Sequence, residues 1–109
     1  MKHKITLPQL KKYDITQKVI EALANTESRA IIFSITRKGK TATQLSTGLK
    51  IPLSSVYKKL TELKDLTLIE IEKTELSEGG KHFKVYKSRI NKAEILIKKL
   101  EPTLTLSAN

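Results

Sequence analysis

The chain has no cysteine and only two histidines in 109 residues. Without cysteine there can be no disulfide framework, no thiolate metal sensor and no cysteine nucleophile. His3 and His82 are too few and too far apart to suggest a metal centre, so no metal or cofactor is expected. A Ser-His-Asp spacing and a glycine-rich phosphate loop are both missing, and the acidic residues are scattered, so an enzyme is not expected. Nor does any apolar run approach the roughly 20 residues that a membrane span requires. The first eight residues, Met1 to Pro8, lack the apolar stretch of a signal peptide, which gives the expectation of a cytoplasmic protein without a membrane partner. Negative charge is also in short supply, with 11 acidic residues against 21 Lys and Arg and a formal net charge of +10. A field of that size attracts phosphates at long range and implies a polyanionic partner, nucleic acid or anionic surface.

What is present fits one small folded domain. The length allows one modest core, and 39% hydrophobic with 29% charged residues is a globular composition with a heavily charged surface. Residues 1–13 carry Lys2, Lys4, Lys11 and Lys12 around Pro8 and read as a basic flexible arm. Asp14 then caps a helix with Ile15, Val19, Ile20 and Leu23 on one side. Asn25 or Thr26 opens a second helix, whose Ile31, Ile32 and Ile35 form a core face before Gly39 stops it. Thr41 and Gln44 have the spacing of a capping box, so a third helix starts at Thr41 and is broken by Gly48. Ile51-Pro52 sets up a fourth, in which Leu53, Val56, Leu60 and Leu63 follow the helical period. Its other face presents Ser54, Lys58, Thr61 and Glu62, with Ser55 and Tyr57 at the margins.

After Leu66 the period falls to two. Ile69 and Ile71 alternate with Glu70 and Glu72, Glu78 to Lys81 make a turn, and Phe83 and Val85 alternate with Lys84 and Tyr86, giving a hairpin. Asn91 and Glu94 then suggest a last helix with Ala93, Leu96, Ile97 and Leu100 on one face, ended by Pro102. Residues 102–109 read as a polar C-terminal tail in which Leu104 and Leu106 alternate.

The order helix, short helix, tight turn, helix, hairpin, helix is that of a winged helix-turn-helix. Thr41-Ala42-Thr43-Gln44-Leu45-Ser46, followed by IPLSSVYKKLTELKDLTLIE at 51–70, resembles the corresponding stretch of ArsR-like and MarR-like transcription regulators of bacterial or archaeal type. The resemblance covers roughly residues 25–90. Thr67 departs from it, standing where these families usually have glycine between recognition helix and wing. The expected fold is mainly α with a small β-hairpin, an α+β winged helix-turn-helix over 14–101 with extra N- and C-terminal helices.

The resemblance implies a DNA-binding transcriptional regulator, with a recognition helix at about 53–65 in the major groove and a wing at about 68–89 on the backbone or minor groove. Carried onto this sequence, Ser54, Ser55, Tyr57 and Lys58 become candidates for base-edge and phosphate contact. Thr43, Lys59, Thr61 and the wing residues Lys81, His82, Lys84 and Lys87 complete the candidate set. Lys58, Lys59 and Lys64 can also be read as a plain solvated helix surface, and Tyr57 as packing over the motif. The apolar faces at 14–24 and 91–101 exceed what a compact winged core covers, and resembling regulators dimerise through such flanks. A homodimer on double-stranded DNA is the expected assembly, with recognition helices about 34 Å apart. The rival reading is a winged-helix protein-interaction module that binds an acidic partner in a larger assembly. Structured RNA is a third possible partner. No polar cluster points to an effector.

Overall fold

A computed structural model describes the backbone of residues 7–98 and 100–109 and the side chains of residues 15–98 and 100–109. Four helices are followed by two antiparallel hairpins, an α+β winged helix. The first helix, α1 (Leu7–Ala24), begins well before Asp14, which falls inside it instead of capping it. Pro8 does not prevent this, because the amides of a first helical turn have no intrahelical acceptor and a missing N–H there loses nothing. The basic arm expected over 1–13 is therefore helical from Leu7, and its first six residues lie outside the described ones.

Asn25 caps α2 (Thr26–Ser34) by accepting the Ser28 amide at 2.9 Å. This helix ends before Gly39, which has a different task. A methyl group on Gly39 would meet Val85 Cγ1 at 2.7 Å and the Tyr86 carbonyl at 3.1 Å, so the connection can lie against the wing only without a side chain there. Lys40 and Tyr86 then exchange backbone hydrogen bonds of 3.0 and 2.8 Å.

The capping box of α3 (Ala42–Leu49) is formed as the spacing predicts, with Thr41 N–H donating to Gln44 Oε1 at 2.9 Å and Gln44 N–H to Thr41 Oγ1 at 3.2 Å. Gly48 does not break this helix. Lys50 ends it by turning left-handed, with φ 56°, and the Ser46 hydroxyl spans the turn by donating to the Ile51 carbonyl at 2.6 Å. In α4 (Leu53–Asp65), Val56, Leu60 and Leu63 are buried as expected, while Leu53 is exposed.

Thr67 is the residue on which the junction to the wing turns. It adopts φ 61°, its amide donates to the Lys64 carbonyl at 2.9 Å, and the Leu68 amide reaches Leu63 at 3.0 Å. This is a Schellman ending, and the buried Leu63 and Leu68 are its apolar pair. A β-branched residue pays steric strain there that glycine would not, so the packing around the junction enforces the left-handed turn that the sequence departs from favouring.

The wing pairs β1 (Ile69–Leu76) with β2 (His82–Ser88) in antiparallel register, with an irregularity between Ile71 and Lys73. Its turn is closed by Gly80 N–H to the Ser77 carbonyl at 3.0 Å, and Gly80 takes φ 80°, a conformation that suits glycine. The wing root joins the core through Ile69, Val85 and Tyr86, all buried alongside Ile31, Ile32 and Leu60.

The C-terminal helix expected over 91–101 is absent. Instead β3 (Ile90–Leu96) pairs with β4 (Thr103–Ala108), and the tail read at 102–109 is the partner strand. The run from Ala93 to Leu100 fits a helical face, but Ala93 and Ile95 also alternate, as do Leu104 and Leu106. In the observed register Ala93 faces Leu106 and Ile95 faces Leu104, which gathers the four apolar side chains on one side of the hairpin. An isolated helix of that length is marginal, whereas a partner strand supplies both a hydrogen-bond ladder and an apolar neighbour for each position. Asn109 fastens the end of this hairpin, donating from Nδ2 to the carbonyls of Thr36 at 2.8 Å and Ser88 at 2.9 Å.

Candidate nucleic-acid interface

Helix α4 turns one face to the core and leaves Ser54, Tyr57, Lys58 and Thr61 exposed, with Ser55 half-buried. Pro52 stands at its N-cap position without a side-chain capping bond. The two serines thus sit on a first turn whose amides keep the partial positive charge of a helix start. Beside this face stands the outward side of β2. The strand period places His82, Lys84 and Tyr86 on one side, and these converge on α4 across a cleft of about 350 Å³. Thr41, Ala42 and Thr43 close its third side, while Tyr57 and Thr61 line it from α4. The sequence-predicted residues Thr43, Tyr57, Thr61, His82 and Lys84 are therefore brought together around one feature.

Ser54, Ser55, Lys58 and Lys81 lie outside the cleft, and Lys59 and Lys87 are engaged within the fold. The Lys59 side chain is only 17% exposed, and its ammonium lies 3.9 Å from the Glu27 carboxylate and 3.3 Å from Asn25 Oδ1, so it ties α4 to the start of α2. Lys87 reaches away from the wing tip and donates from Nζ to the Arg37 carbonyl. Lys81 is exposed at the turn, where its amide donates to Ser77 Oγ at 3.0 Å and its carbonyl accepts the Ser77 amide at 2.7 Å.

Two of the wing's four glutamates are engaged in ion pairs. Glu75 pairs with Lys73 at 3.0 Å, and that contact raises the pKa of the Lys73 ammonium above its ordinary value. Glu70 lies 4.0 Å from Arg89. Among the described residues no carboxylate comes within ion-pair distance of Lys58, Lys81 or Lys84, and none lines the cleft. The interface that results is a cationic, hydroxyl-rich surface shared between a helix and a strand.

Thr41, Ala42, Phe83 and Tyr86 also line the cleft although the motif did not single them out, and Tyr86 is the one whose side chain is both buried and polar. It is 7% exposed, and burial, followed by the neighbouring Tyr57, pushes its hydroxyl pKa above its ordinary value. A signal was present in the sequence, because Tyr86 shares the alternation of Lys84. It was masked by Val85, which is buried as well and left the strand with two apolar sides at its base.

The fold is similar to that of NolR from Sinorhizobium fredii, with a TM-score of 0.62 over 80% of this chain and 81% of that one, at 16% sequence identity. The likeness is one of fold, a winged helix. No family model and no curated protein matches the sequence. No described helix is long and apolar enough to cross a membrane, and among the described residues no cluster of His, Cys, Asp or Glu can hold a metal ion.

Proposed function

We propose that the protein is a DNA-binding transcriptional regulator that presents α4 to the major groove and the wing to the neighbouring backbone. The observation that carries this reading is that Lys58 on α4 and Lys81 and Lys84 on the wing face outward without an acidic partner. A basic surface divided between recognition helix and wing suits a polyphosphate rod, whereas a module for an acidic protein would need charge only on one flank. Ser54, Ser55 and Lys58 supply base-edge contacts of low selectivity, and Lys81, His82 and Lys84 supply phosphate contacts. Lys59 and Lys87 act inside the fold.

The same reading includes a homodimer, formed through α1 and the β3–β4 hairpin. Ile15 on α1 and Ile95, Leu96, Ile97 and Leu100 on the hairpin are exposed, the last two at 71% and 89%. Apolar groups so far out of the core favour a second surface that covers them. Two copies related by a two-fold axis present two recognition helices to one face of a duplex.

A polarisation titration against genomic duplex, with polyglutamate as competitor, tests the reading. Duplex binding should weaken with salt along a log-log slope of about −0.9 for each phosphate neutralised. Competition by polyglutamate at equal charge, or a complex insensitive to salt, would favour the acidic-protein module instead.

A further inference from the structure

The cleft between α4 and β2 contains a polar group for which the fold provides no use. Tyr86 is more than nine-tenths buried, yet its hydroxyl makes no hydrogen bond within the protein. Among the described residues no fully buried side-chain oxygen or nitrogen lacks a partner, so this hydroxyl is not sealed in the core. It opens on the cleft, which Tyr86 lines from the wing and Tyr57 lines from α4. Phenylalanine would fill the buried part of this position as well, so the hydroxyl adds only a donor that faces the cleft.

The other polar groups of the cleft share one character. The hydroxyl of Tyr57, the hydroxyl of Thr43, the imidazole of His82 and the ammonium of Lys84 can all donate, and no carboxylate is among them. Thr61 donates its proton to the Tyr57 carbonyl at 3.0 Å. Donors from three separate elements thus converge on a space of about 350 Å³, ample for a tetrahedral oxyanion. We infer that this cleft is a phosphate-binding site, in which Tyr86, Tyr57 and Lys84 hold one phosphate group between recognition helix and wing. The inference rests on the proposed duplex binding for its preferred source, a backbone phosphodiester, and extends it by assigning a contact to a residue of the core. Held there, the phosphate fixes the distance between helix and wing on the duplex, a positioning role that carries no base information.

The test uses the full chain and two variants, Tyr86→Phe, which keeps the buried ring, and the exposed Tyr57→Phe, which leaves the core untouched. Two probes are titrated: a short genomic duplex, followed by polarisation, and inorganic phosphate, followed by the ring resonances of the tyrosines. Tyr86→Phe is expected to weaken duplex binding about tenfold, the scale of one hydrogen bond to a charged group, equally on every duplex sequence. Tyr57→Phe should weaken it in the same sequence-independent way. If the duplex affinity is unchanged but inorganic phosphate moves the rings of the wild type and not those of Tyr86→Phe, the site stands and its source is a free phosphate. The same phosphate response in a protein that binds no duplex would uphold the site while refuting the proposed function. Wild-type affinity for both probes in both variants would overturn the site and leave salt-dependent duplex binding intact.

Discussion

The two hairpins of this small fold are built alike and finished differently. Both are antiparallel, both carry one register irregularity near the base, and both begin at a buried isoleucine, Ile69 in one and Ile90 in the other. The first is anchored through both strands, with Ile69 buried on β1, Val85, Tyr86 and Ser88 buried on β2, and a further bridge from Tyr86 to Lys40. Beyond that root it carries charge: Lys81 at the turn and Lys84 on β2 have no acidic partner, while Glu75 is occupied by Lys73. The second is buried at Ile90, half-buried at Ala93 and Leu104, and exposes Ile95, Leu96, Ile97 and Leu100 toward its tip. Backbone architecture therefore does not assign a role to either. The chemistry displayed past the root is where they differ, and the proposed function rests on that difference.

Changing the roots gives the largest effect expected. Ile69→Ala removes a fully buried side chain shared by wing and core and should cost about 2 to 5 kcal/mol in urea denaturation, whereas Ile95→Ala, exposed on the second hairpin, should cost under about 1 kcal/mol. Equal losses would mean that the second hairpin is as much part of the core as the first. Replacing both Ile97 and Leu100 by Glu should leave the melting of the monomer nearly unchanged and move sedimentation toward the monomer. An unchanged sedimentation coefficient in a protein that is dimeric to begin with would place the dimer interface elsewhere.

Charge on the first hairpin makes the next comparison. Lys84→Ala should lower affinity for all duplexes alike and reduce the salt slope by about 1, whereas Lys58→Ala should also alter sequence preference. Identical losses on specific and random duplex from both changes would remove Lys58 from base reading. The smallest effect is at the junction that delivers the chain into the wing. Thr67→Gly should stabilise the fold by about 1 kcal/mol by relieving the left-handed strain, less the chain entropy that glycine adds to the unfolded state. A melting temperature lowered by that change would show that the threonine side chain makes a contribution outweighing its backbone strain.

Titration bears on the same root. Tyr86 has its pKa raised, so the folded state favours the neutral hydroxyl. That stability is complete below the unfolded value near 10 and is lost as the pH climbs through the folded value. Alkaline unfolding should therefore shift to higher pH in Tyr86→Phe, and an unchanged alkaline limb would mean that the hydroxyl titrates as freely folded as unfolded.

Local signals made the winged core legible. The Thr41–Gln44 capping box, the Val56, Leu60 and Leu63 stripe and the glycine turn at 79–80 each depend on neighbours within a few residues, and each appears where the pattern predicts. What escaped was decided at longer range. Whether 91–101 became helix or strand depended on Leu104 and Leu106 pairing back on it, and the alternation of those leucines was visible while their partner was not. The start of α1 at Leu7 was hidden because Pro8 reads as a breaker unless the helix begins immediately before it. In the candidate site, the helix and strand faces could be read from their periods, and they do meet. The loss of Lys59 to Glu27 and of Lys87 to Arg37 depended on contacts 32 and 50 positions apart in the chain, beyond any periodicity.

The central claim, a helix and a wing that share a cationic surface for a duplex, is tested most directly by measuring duplex affinity across about 50 to 200 mM salt for the wild type and for Lys84→Ala. A steep linear loss of affinity in the wild type, with a slope shallower by about 1 in the variant, is the predicted result. Wild-type binding that does not change with salt, or equal slopes for the two proteins, would contradict it.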